Sequence, residues 1–555
     1  MMRPIAALCL AIVVSPVAAR QPVRARKAMV AAQEPLAADI GLEVLRSGGN
    51  AVDAAVAVGF ALAVTLPSAG NLGGGGFLLY RAADGKTRFF DFREAAPAAS
   101  GRDMYLDPQG NLTDASRIGW RAAGVPGTVR GLELAHRTLG SRKWSTLLKP
   151  AVDLARKGHP LSWARAESMK DAKDLLGRFD ESRKIFLNGG RFYEMDDRFR
   201  QRDLAATLAR IAKHGARDFY EGETAHRLAA AMKANGGLIT EEDLRAYKAV
   251  EREPIAGRYK GYDVITAPPP SSGGIGILQM MGVLEGSNYE KPGAGAAETI
   301  HFVAETMRRF YADRSEHFGD PDFFRVPALG LLDPAYLNTL RNSIDRAHAS
   351  KSDEVRPGRM PVHESADTTH FSIVDAQGNA VALTYTINGS YGNGVTVPGL
   401  GFLLNNEMDD FAAKPGVPNM FGLVQGEANA IQPRKRPLSS MTPTILARDG
   451  KLFMVVGAPG GSRIINGVLQ VILNVVDHRM NVQDAIDAPR FHHQWQPDRL
   501  SMERGFSPDT RALLEAKGHM LAPISGVAVV EAIVLADGWL QGGSDGRGAG
   551  KAVGY

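Results

Sequence analysis

The sequence predicts an α+β fold in which stacked sheets are covered by helices. Two pairs of strand-like segments flank short turns, residues 369–374 with 379–386 and residues 444–447 with 452–456. A helix-like segment, residues 464–477, follows the second pair directly after Gly460-Gly461. Strand pairs followed by helices are typical of layered α+β folds.

The remaining elements can be assigned in order along the chain. Helical spacing of apolar residues recurs upstream, at residues 37–47, 54–64, 129–137, 204–213 and 225–235. Extended segments interrupt these helices, at residues 77–80, 88–92, 262–267 and 527–535. A glycine turn, residues 71–76, leads into the first of these strands and lacks the spacing of a dinucleotide fingerprint. It is a tight turn or a backbone nest that faces a ligand.

Composition and charge limit the possible functions. The chain has 555 residues, 44% of them hydrophobic, which is enough for two to four folding units. Its 65 Lys and Arg and 60 Asp and Glu give a formal net charge of +5. The basic residues are scattered and do not alternate with aromatic residues, so we expect no nucleic-acid binding.

Residues 1–19 have the pattern of a secretory signal peptide. Arg3 supplies the positive start, residues 5–14 are apolar, and Val17-Ala18-Ala19 offers a cleavage site. The apolar stretch is too short to span a membrane, so no membrane anchor is expected. Cys9, the single cysteine, lies in this segment, so the mature protein would contain no disulfide. We therefore expect a bacterial periplasmic or secreted protein.

The junction at Thr368 is the most informative feature. A polar run without apolar periodicity, residues 351–367, ends there, and a strand-like segment begins at once. If the Asp367–Thr368 bond were cut, Thr368 would become an N-terminal residue. Its hydroxyl could then act as a nucleophile and its own amine as the base.

Several other chemistries have no complete motif. The chain contains neither a G-x-S-x-G elbow nor a Walker A loop. His363-Glu364 begins like a zincin motif, but Asp367 stands in place of the second histidine. The adjacent His492 and His493 would point apart on a helix or strand, which favours a structural role. No metal or organic cofactor is expected.

Longer motifs resemble the γ-glutamyltranspeptidase family of N-terminal nucleophile hydrolases over nearly the whole mature chain. They are residues 91–94 (DFRE), 368–370 (TTH), 404–411 (LNNEMDDF), 436–441 (RPLSSM), 460–463 (GGSR) and 552–555 (AVGY). The resemblance implies a four-layer αββα sandwich. It also implies that the precursor cuts itself before Thr368 into a large subunit, residues 20–367, and a small subunit, residues 368–555, which remain associated as one structural unit.

The resemblance also implies roles for individual residues. The catalytic group would comprise the nucleophile Thr368, its orienting partner Thr386 and an oxyanion hole formed by Gly460 and Gly461. A clamp for the zwitterionic γ-glutamyl group would comprise Arg93, Asn388, Glu407, Asp410, Ser439 and Ser440. Taken singly, Thr386 could be an ordinary strand residue, Arg93 a surface ion-pair residue and the two serines a turn.

The function implied is that of a γ-glutamyltransferase and glutathione hydrolase. It would transfer the γ-glutamyl group of glutathione and related compounds to water, amino acids or dipeptides. Residues 415–421 resemble the family's lid, where Phe421 replaces a tyrosine; a simple surface loop is the alternative. Two other functions remain open: an acylase acting on glutaryl or cephalosporin-type substrates, and an unprocessed binding or scaffold protein.

Overall fold

The computed structural model describes residues 20–356, 368–414, 420 and 426–555. The predicted signal peptide, Asp367 and Phe421 therefore lie outside the described residues. The α-helices are α1 Pro35–Arg46, α2 Ala51–Thr65, α3 Thr128–Leu139, α4 Trp144–Lys157, α5 Trp163–Asp171, α6 Lys173–Leu176, α7 Asp180–Phe186, α8 Arg202–His214, α9 Ala216–Glu221, α10 Glu223–Ala234, α11 Glu241–Ala246, α12 Gly273–Leu284, α13 Ala297–His317, α14 Ala328–Leu331, α15 Pro334–Asn342, α16 Arg463–Val476, α17 Val482–Asp487 and α18 Pro508–Ala516.

The strands form two large antiparallel sheets and two small ones. They are β1 Val23–Ala25, β2 Met29–Ala32, β3 Gly75–Arg81, β4 Thr87–Phe92, β5 His159–Pro160, β6 Arg198–Phe199, β7 Val250–Arg252, β8 Ile255–Tyr259, β9 Tyr262–Thr266, β10 Thr369–Val374, β11 Ala380–Thr386, β12 Thr444–Arg448, β13 Lys451–Gly457, β14 Phe491–His492, β15 Leu500–Met502, β16 Leu521–Pro523, β17 Glu531–Ala536, β18 Trp539–Ser544 and β19 Lys551–Gly554. Sheet A has the order β1-β18-β17-β13-β12-β9-β8, and sheet B has the order β19-β2-β10-β11-β3-β4-β7.

The two sheets stack, and helices cover both outer faces. Side chains alternate along β3: Phe77 and Leu79 join the core shared with sheet A, whereas Leu78 packs among α1, α2, α3, α4 and α8. Helices α12, α13, α16 and α17 contribute to the core on the sheet A side. This arrangement confirms the predicted α+β fold with αββα layers. No helix in the described part of the chain is long and apolar enough to cross a membrane.

Both large sheets combine strands from before and after Thr368. In sheet B, β10 pairs with β2 on one side and with β11 on the other, and β11 pairs with β3. In sheet A, β12 pairs with β9. A cut before Thr368 would therefore leave the two parts joined by main-chain hydrogen bonds and by a shared core.

Most predicted elements are present, with one clear difference near the C-terminus. The strand predicted from residue 527 begins only at Glu531. Ala528 has φ of +64° and packs against the Gly460 turn, and the Val529 N–H donates to the Pro459 carbonyl at 3.2 Å. These contacts keep residues 527–530 from pairing in sheet A, although their apolar side chains are typical of a strand.

Candidate active site

Thr368 directly precedes β10 and is buried. It is 7% exposed and, together with Gly460, lines a cavity of about 440 Å³. Two residues further along β10, the His370 ring packs so close to Gly457 that a Cβ there would approach it to 2.4 Å. Because alternate strand residues share a face, Thr368 and His370 both face sheet A.

The register of β10 and β11 sets Thr368 opposite Thr386. The two strands pair Thr369 with Tyr385, and one further step of that register joins the two threonines. Residues directly opposite in an antiparallel pair have Cβ atoms about 4.5–5.5 Å apart, close enough for their hydroxyls to interact. The Thr386 hydroxyl also accepts the Asn388 N–H at 2.8 Å. Asn388 has φ of +69°, an αL conformation that asparagine tolerates better than most residues.

The strand register extends this alignment of Thr368 and Thr386 across sheet B to Arg93. β3 pairs Gly75 with Thr386, and β4 follows β3 with Gly76 opposite Phe92. One further step of that register sets Arg93 opposite Gly75. A Cβ on Gly75 would come within 2.8 Å of the Glu94 carboxyl carbon, so a residue without a side chain is needed there.

The turn between β13 and α16 brings two glycines to the cavity region. Gly460 has φ of +135° and Gly461 has φ of +61°, both conformations that favour glycine. A Cβ on Gly460 would also approach the Ala528 Cα to 2.8 Å. Neither N–H is donated to a described protein group. Two backbone donors at the start of a helix are suited to stabilise an oxyanion.

Arg93 lies at the centre of a buried cluster of carboxylates. Its guanidinium forms ion pairs with Glu407, Asp410 and Glu94, the last at 3.5 Å. It also donates to the Pro437 carbonyl at 3.1 Å and to the Leu438 carbonyl at 2.9 Å. The guanidinium is therefore fully occupied by protein groups. The predicted place of Arg93 in a clamp for a γ-glutamyl group stays a prediction, and it requires at least one of these contacts to be exchanged.

The cluster contains more acidic groups than one guanidinium can neutralise. One oxygen of each of Glu94, Glu407 and Asp410 has no hydrogen-bond partner. Burial raises the pKa of Glu94 to about 7 and that of Glu407 to about 8. Burial, and then the neighbouring Glu407, raises the pKa of Asp410 well above its usual range. Burial alone would lower the pKa of Arg93, but the three carboxylates outweigh it and raise that pKa. The cluster is suited to accept a cation.

The two predicted serines adjoin this cluster. Both are buried, and both follow Leu438, whose carbonyl binds Arg93. The Ser439 hydroxyl accepts the Met441 N–H at 3.2 Å, whereas the Ser440 hydroxyl has no hydrogen-bond partner. Asn388 reaches the same region, because its side chain donates to the Asn406 carbonyl at 2.9 Å, next to Glu407. The predicted clamp residues thus come from four separate segments of the chain.

Three residues to which no motif assigned a role also belong to the site: Glu94, Asn71 and Gln33. Glu94 joins the Arg93 cluster. The Asn71 side chain donates to the Thr386 carbonyl at 2.9 Å and accepts the Gly74 N–H at 2.9 Å, so it fixes the end of β11. The Gln33 side chain accepts the Thr369 hydroxyl at 2.7 Å. A signal was available only for Glu94, which directly follows Arg93 in the quoted motif.

Two other predictions concern the surroundings of the site. Of the predicted lid, only Met420 is described; its sulfur lies 3.8 Å from the Asn406 side-chain nitrogen. His492 hydrogen-bonds to Asn466 and Gln494, and His493 faces Asp498 at 3.3 Å. These contacts agree with the structural role predicted for the two histidines.

The chain is similar to known proteins over most of its length. A family model described as gamma-glutamyltranspeptidase matches residues 37–555. A glutathione hydrolase proenzyme of Escherichia coli (strain K12) is 50% identical over 529 residues, which cover 95% of this chain and 91% of that protein.

Two solved structures are similar as well. The structure of Helicobacter pylori gamma-glutamyltranspeptidase is 44% identical with a TM-score of 0.58, and the match covers 58% of this chain and 93% of that one. A cephalosporin acylase from Bacillus halodurans has a TM-score of 0.86 at 27% identity, and the match covers 97% of both chains.

Proposed function

Because this chain belongs to the γ-glutamyltranspeptidase family, we propose that it is an autoprocessing γ-glutamyltransferase and glutathione hydrolase with Thr368 as its nucleophile. The donors are glutathione and related γ-glutamyl compounds. The γ-glutamyl group passes through an ester on Thr368 to water, an amino acid or a dipeptide. The observation that carries the proposal is the Arg93 cluster, because its charges match those of a γ-glutamyl zwitterion.

Maturation is the first reaction of Thr368. Its hydroxyl attacks the carbonyl carbon of Asp367, the peptide C–N bond breaks, and the nitrogen gains a proton and becomes an amine. The chain is then joined through an ester. Water hydrolyses this ester, which frees the Asp367 carboxylate and regenerates the Thr368 hydroxyl. The products are the large subunit, residues 20–367, and the small subunit, residues 368–555.

Catalysis uses the amine that maturation creates. An α-amine has a pKa of about 7.7–8.0, so near pH 8 a large fraction is neutral and can take the hydroxyl proton. The Thr368 oxygen attacks the γ-carbonyl carbon, and the N–H groups of Gly460 and Gly461 stabilise the resulting oxyanion. The amine returns the proton to the leaving nitrogen, and cysteinylglycine departs from glutathione. Thr386 keeps the attacking hydroxyl oriented.

Donor binding exchanges internal ion pairs for substrate ion pairs. The α-ammonium takes the place of the Arg93 guanidinium beside Glu407 and Asp410. The α-carboxylate then pairs with the released fork of Arg93, a bidentate geometry that guanidinium suits. The Ser440 hydroxyl, buried without a partner, donates to the same carboxylate. The exchange conserves charge, so no buried ion is left unpaired.

The acylase alternative fits this cluster less well. A glutaryl group carries the carboxylate but lacks the ammonium, so it would leave Glu407 and Asp410 without a second cation. An unprocessed scaffold protein would have no use for the glycine pair at the cavity or for the unpaired acidic oxygens. Both alternatives therefore leave costly buried groups unexplained.

Maturation and donor selectivity can be tested together. On a denaturing gel the purified protein should give two bands, and N-terminal sequencing of the smaller should begin at Thr368. Release of nitroaniline from γ-glutamyl-p-nitroanilide should exceed release from glutaryl-p-nitroanilide by about a hundredfold or more, since a buried ionic contact is lost. A single full-length band would overturn the proposal, and faster turnover of the glutaryl substrate would favour the acylase.

We also propose that the enzyme is exported from the cytosol. The pattern of residues 1–19 supports a signal peptide and a periplasmic or secreted enzyme. N-terminal sequencing of the large subunit from a periplasmic or culture fraction should begin close to Arg20. Recovery of the enzyme in the cytosol with Met1 retained would refute export.

A further inference from the structure

The cavity beside Thr368 is basic, unlike the acidic cluster around Arg93. Its walls include three arginines, Arg165, Arg463 and Arg547, and no Asp or Glu belongs to its described lining. Its volume of about 440 Å³ lies within the range of small-molecule sites, about 300–1,000 Å³. Thr368 and Gly460 form part of the wall, so a molecule in this cavity would reach the reacting centre.

This cavity extends to the side of Thr368 that faces away from the Arg93 cluster. Sheet B runs in the order β19-β2-β10-β11-β3-β4-β7, with Thr368 directly before β10. Arg93 follows β4, on one side of β10. The cavity lining begins near Ser390, which follows β11, and reaches the other side of β10 at Gln33, directly after β2, and at Ala549, just before β19. If the γ-glutamyl group occupies the Arg93 side, the leaving group extends into the basic cavity.

One of the three arginines is already neutralised. Arg547 forms ion pairs with Glu503 and with Asp545, the second at 3.0 Å. Its charge is needed to balance these two buried acids. It is therefore unsuited to hold a ligand anion.

The other two arginines have no such partner. Arg463 donates to the Gly526 carbonyl at 2.9 Å, and Arg165 donates to the Gln33 carbonyl at 3.5 Å. Within the described part of the chain, neither forms an ion pair with a carboxylate. Glu34 acts on Arg165 from a distance, but its side chain caps α1 by accepting the Ala37 N–H at 3.0 Å. Each guanidinium thus retains donors for a ligand.

We propose that Arg165 and Arg463 form a subsite for the terminal carboxylate of the leaving peptide and of the acceptor. The subsite rests on the proposed function, since it describes what leaves and enters at the γ-glutamyl ester. It positions the acceptors of that function, amino acids and short peptides, by their free C-terminal carboxylate.

The transfer step balances with an acceptor bound in this way. The acceptor amine nitrogen forms a bond to the γ-carbonyl carbon, and the ester bond to the Thr368 oxygen breaks. The proton lost by the acceptor nitrogen passes through the Thr368 amine to the Thr368 oxygen. The carboxylate takes no part in bond making, so its effect is to position the amine.

Paired acceptors test the subsite. Glycylglycine and glycylglycinamide differ at the terminus that the arginines would bind. With γ-glutamyl-p-nitroanilide as donor, we expect the wild-type KM for glycylglycine to be about tenfold lower than that for glycylglycinamide. Arg165→Gln and Arg463→Gln should each raise the glycylglycine KM by about tenfold and change the glycylglycinamide KM little. The terminal amide of glycylglycinamide also alters the properties of its amine. For each acceptor, the KM is therefore compared between the wild-type protein and the variants.

The control variant is Arg183→Gln, which removes an arginine from α7. Its side chain is 55% exposed and pairs with Asp180, and neither residue belongs to the described lining of the cavity. It should change neither KM. Unchanged KM values in the cavity variants, or equal rises for both acceptors, would overturn the subsite alone. Absence of donor hydrolysis by the wild-type enzyme would instead overturn the proposed function. Should Arg463→Gln fail to mature, Arg165→Gln carries the comparison.

Discussion

The register of sheet B aligns Thr368, Thr386, Gly75 and Arg93 in one row, and the two ends of this row carry chemically different groups. At the β10 end, the residues of the row are uncharged: Thr368 and Thr386 lie opposite each other in the register, and a glycine turn borders the same cavity as Thr368. At the β4 end, one buried guanidinium faces three buried carboxylates. Hydroxyls and backbone amides need accurate placement, whereas the ion cluster provides charge. We therefore expect the β10 end to control kcat and maturation, and the β4 end to control donor affinity.

The largest effect is expected at the β10 end. Thr368→Ala removes the hydroxyl needed for both reactions, so the protein should remain one chain and show no activity. Thr368→Ser is the matched control, because it keeps the hydroxyl and should still mature and turn over substrate. A denaturing gel and a nitroaniline-release assay measure both properties. Two subunits from Thr368→Ala would remove Thr368 from maturation.

The second largest effect is expected at the β4 end, where a substitution should raise the KM for the donor. Arg93→Lys replaces the planar fork by a point charge and disturbs buried carboxylates, which costs about 2–5 kcal/mol. At 1.4 kcal/mol per factor of ten, the donor KM should rise by about thirtyfold or more.

The control for Arg93→Lys is Arg88→Lys on β4, the strand that Arg93 directly follows. The Arg88 pair with Glu251 is 39% exposed on both sides, and such pairs contribute about 0–1 kcal/mol. It should leave the donor KM nearly unchanged. If the two substitutions changed KM equally, Arg93 would have no special role in donor binding.

The pH dependence of binding separates the two ends further. In the folded protein the pKa of Glu407 is about 8, whereas the usual value for a glutamate, expected in the unfolded protein, is 4.5. Between these two pH values the folded protein binds one proton more than the unfolded protein. The stability of the ligand-free protein should therefore fall as pH rises from about 4.5 to 8. An ammonium ligand needs the ionised carboxylate, so the inhibition constant of L-glutamate should fall over the same range, by up to about tenfold per pH unit.

Glutarate is the matched ligand for this measurement, because it lacks the ammonium. Its inhibition constant should not fall between pH 6 and 8, since it gains nothing from further ionised carboxylates. Glu407→Gln should reduce the pH dependence for L-glutamate. Parallel pH profiles for the two inhibitors would show that the acidic cluster does not bind the ammonium.

The smallest effect is expected at Ser440. Its hydroxyl is buried without a partner, so Ser440→Ala should leave Tm unchanged or slightly raised while the donor KM rises about threefold to tenfold. Ser439→Ala should instead cost about 1 kcal/mol of stability, because the Ser439 hydroxyl accepts the Met441 N–H. Thermal unfolding and donor kinetics on both variants measure the difference. A lowered Tm for Ser440→Ala with no change in KM would contradict its role in donor binding.

Local pattern predicted much of the fold. The alternation of residues 369–374 gave the bounds of β10, and the apolar run of residues 54–64 lies within the wholly buried α2. Among the strands that were not predicted, β2, β18 and β19 are short or rich in alanine and glycine. Such residues carry little of the apolar signal by which a strand is recognised, and these strands are defined by pairing with distant partners.

The sequence by itself determined the Thr368 junction and the residue types of the site, because motifs and local periodicity are properties of neighbouring residues. The tertiary structure decided how those residues meet. Arg93 contacts Glu407 and Asp410 more than 300 positions away, and Glu94 enters the same cluster. The order of strands in sheet B also decided that the basic cavity extends to the side of Thr368 that faces away from the acidic cluster. Long-range pairing is set by burial across whole layers, which no local stretch of sequence encodes.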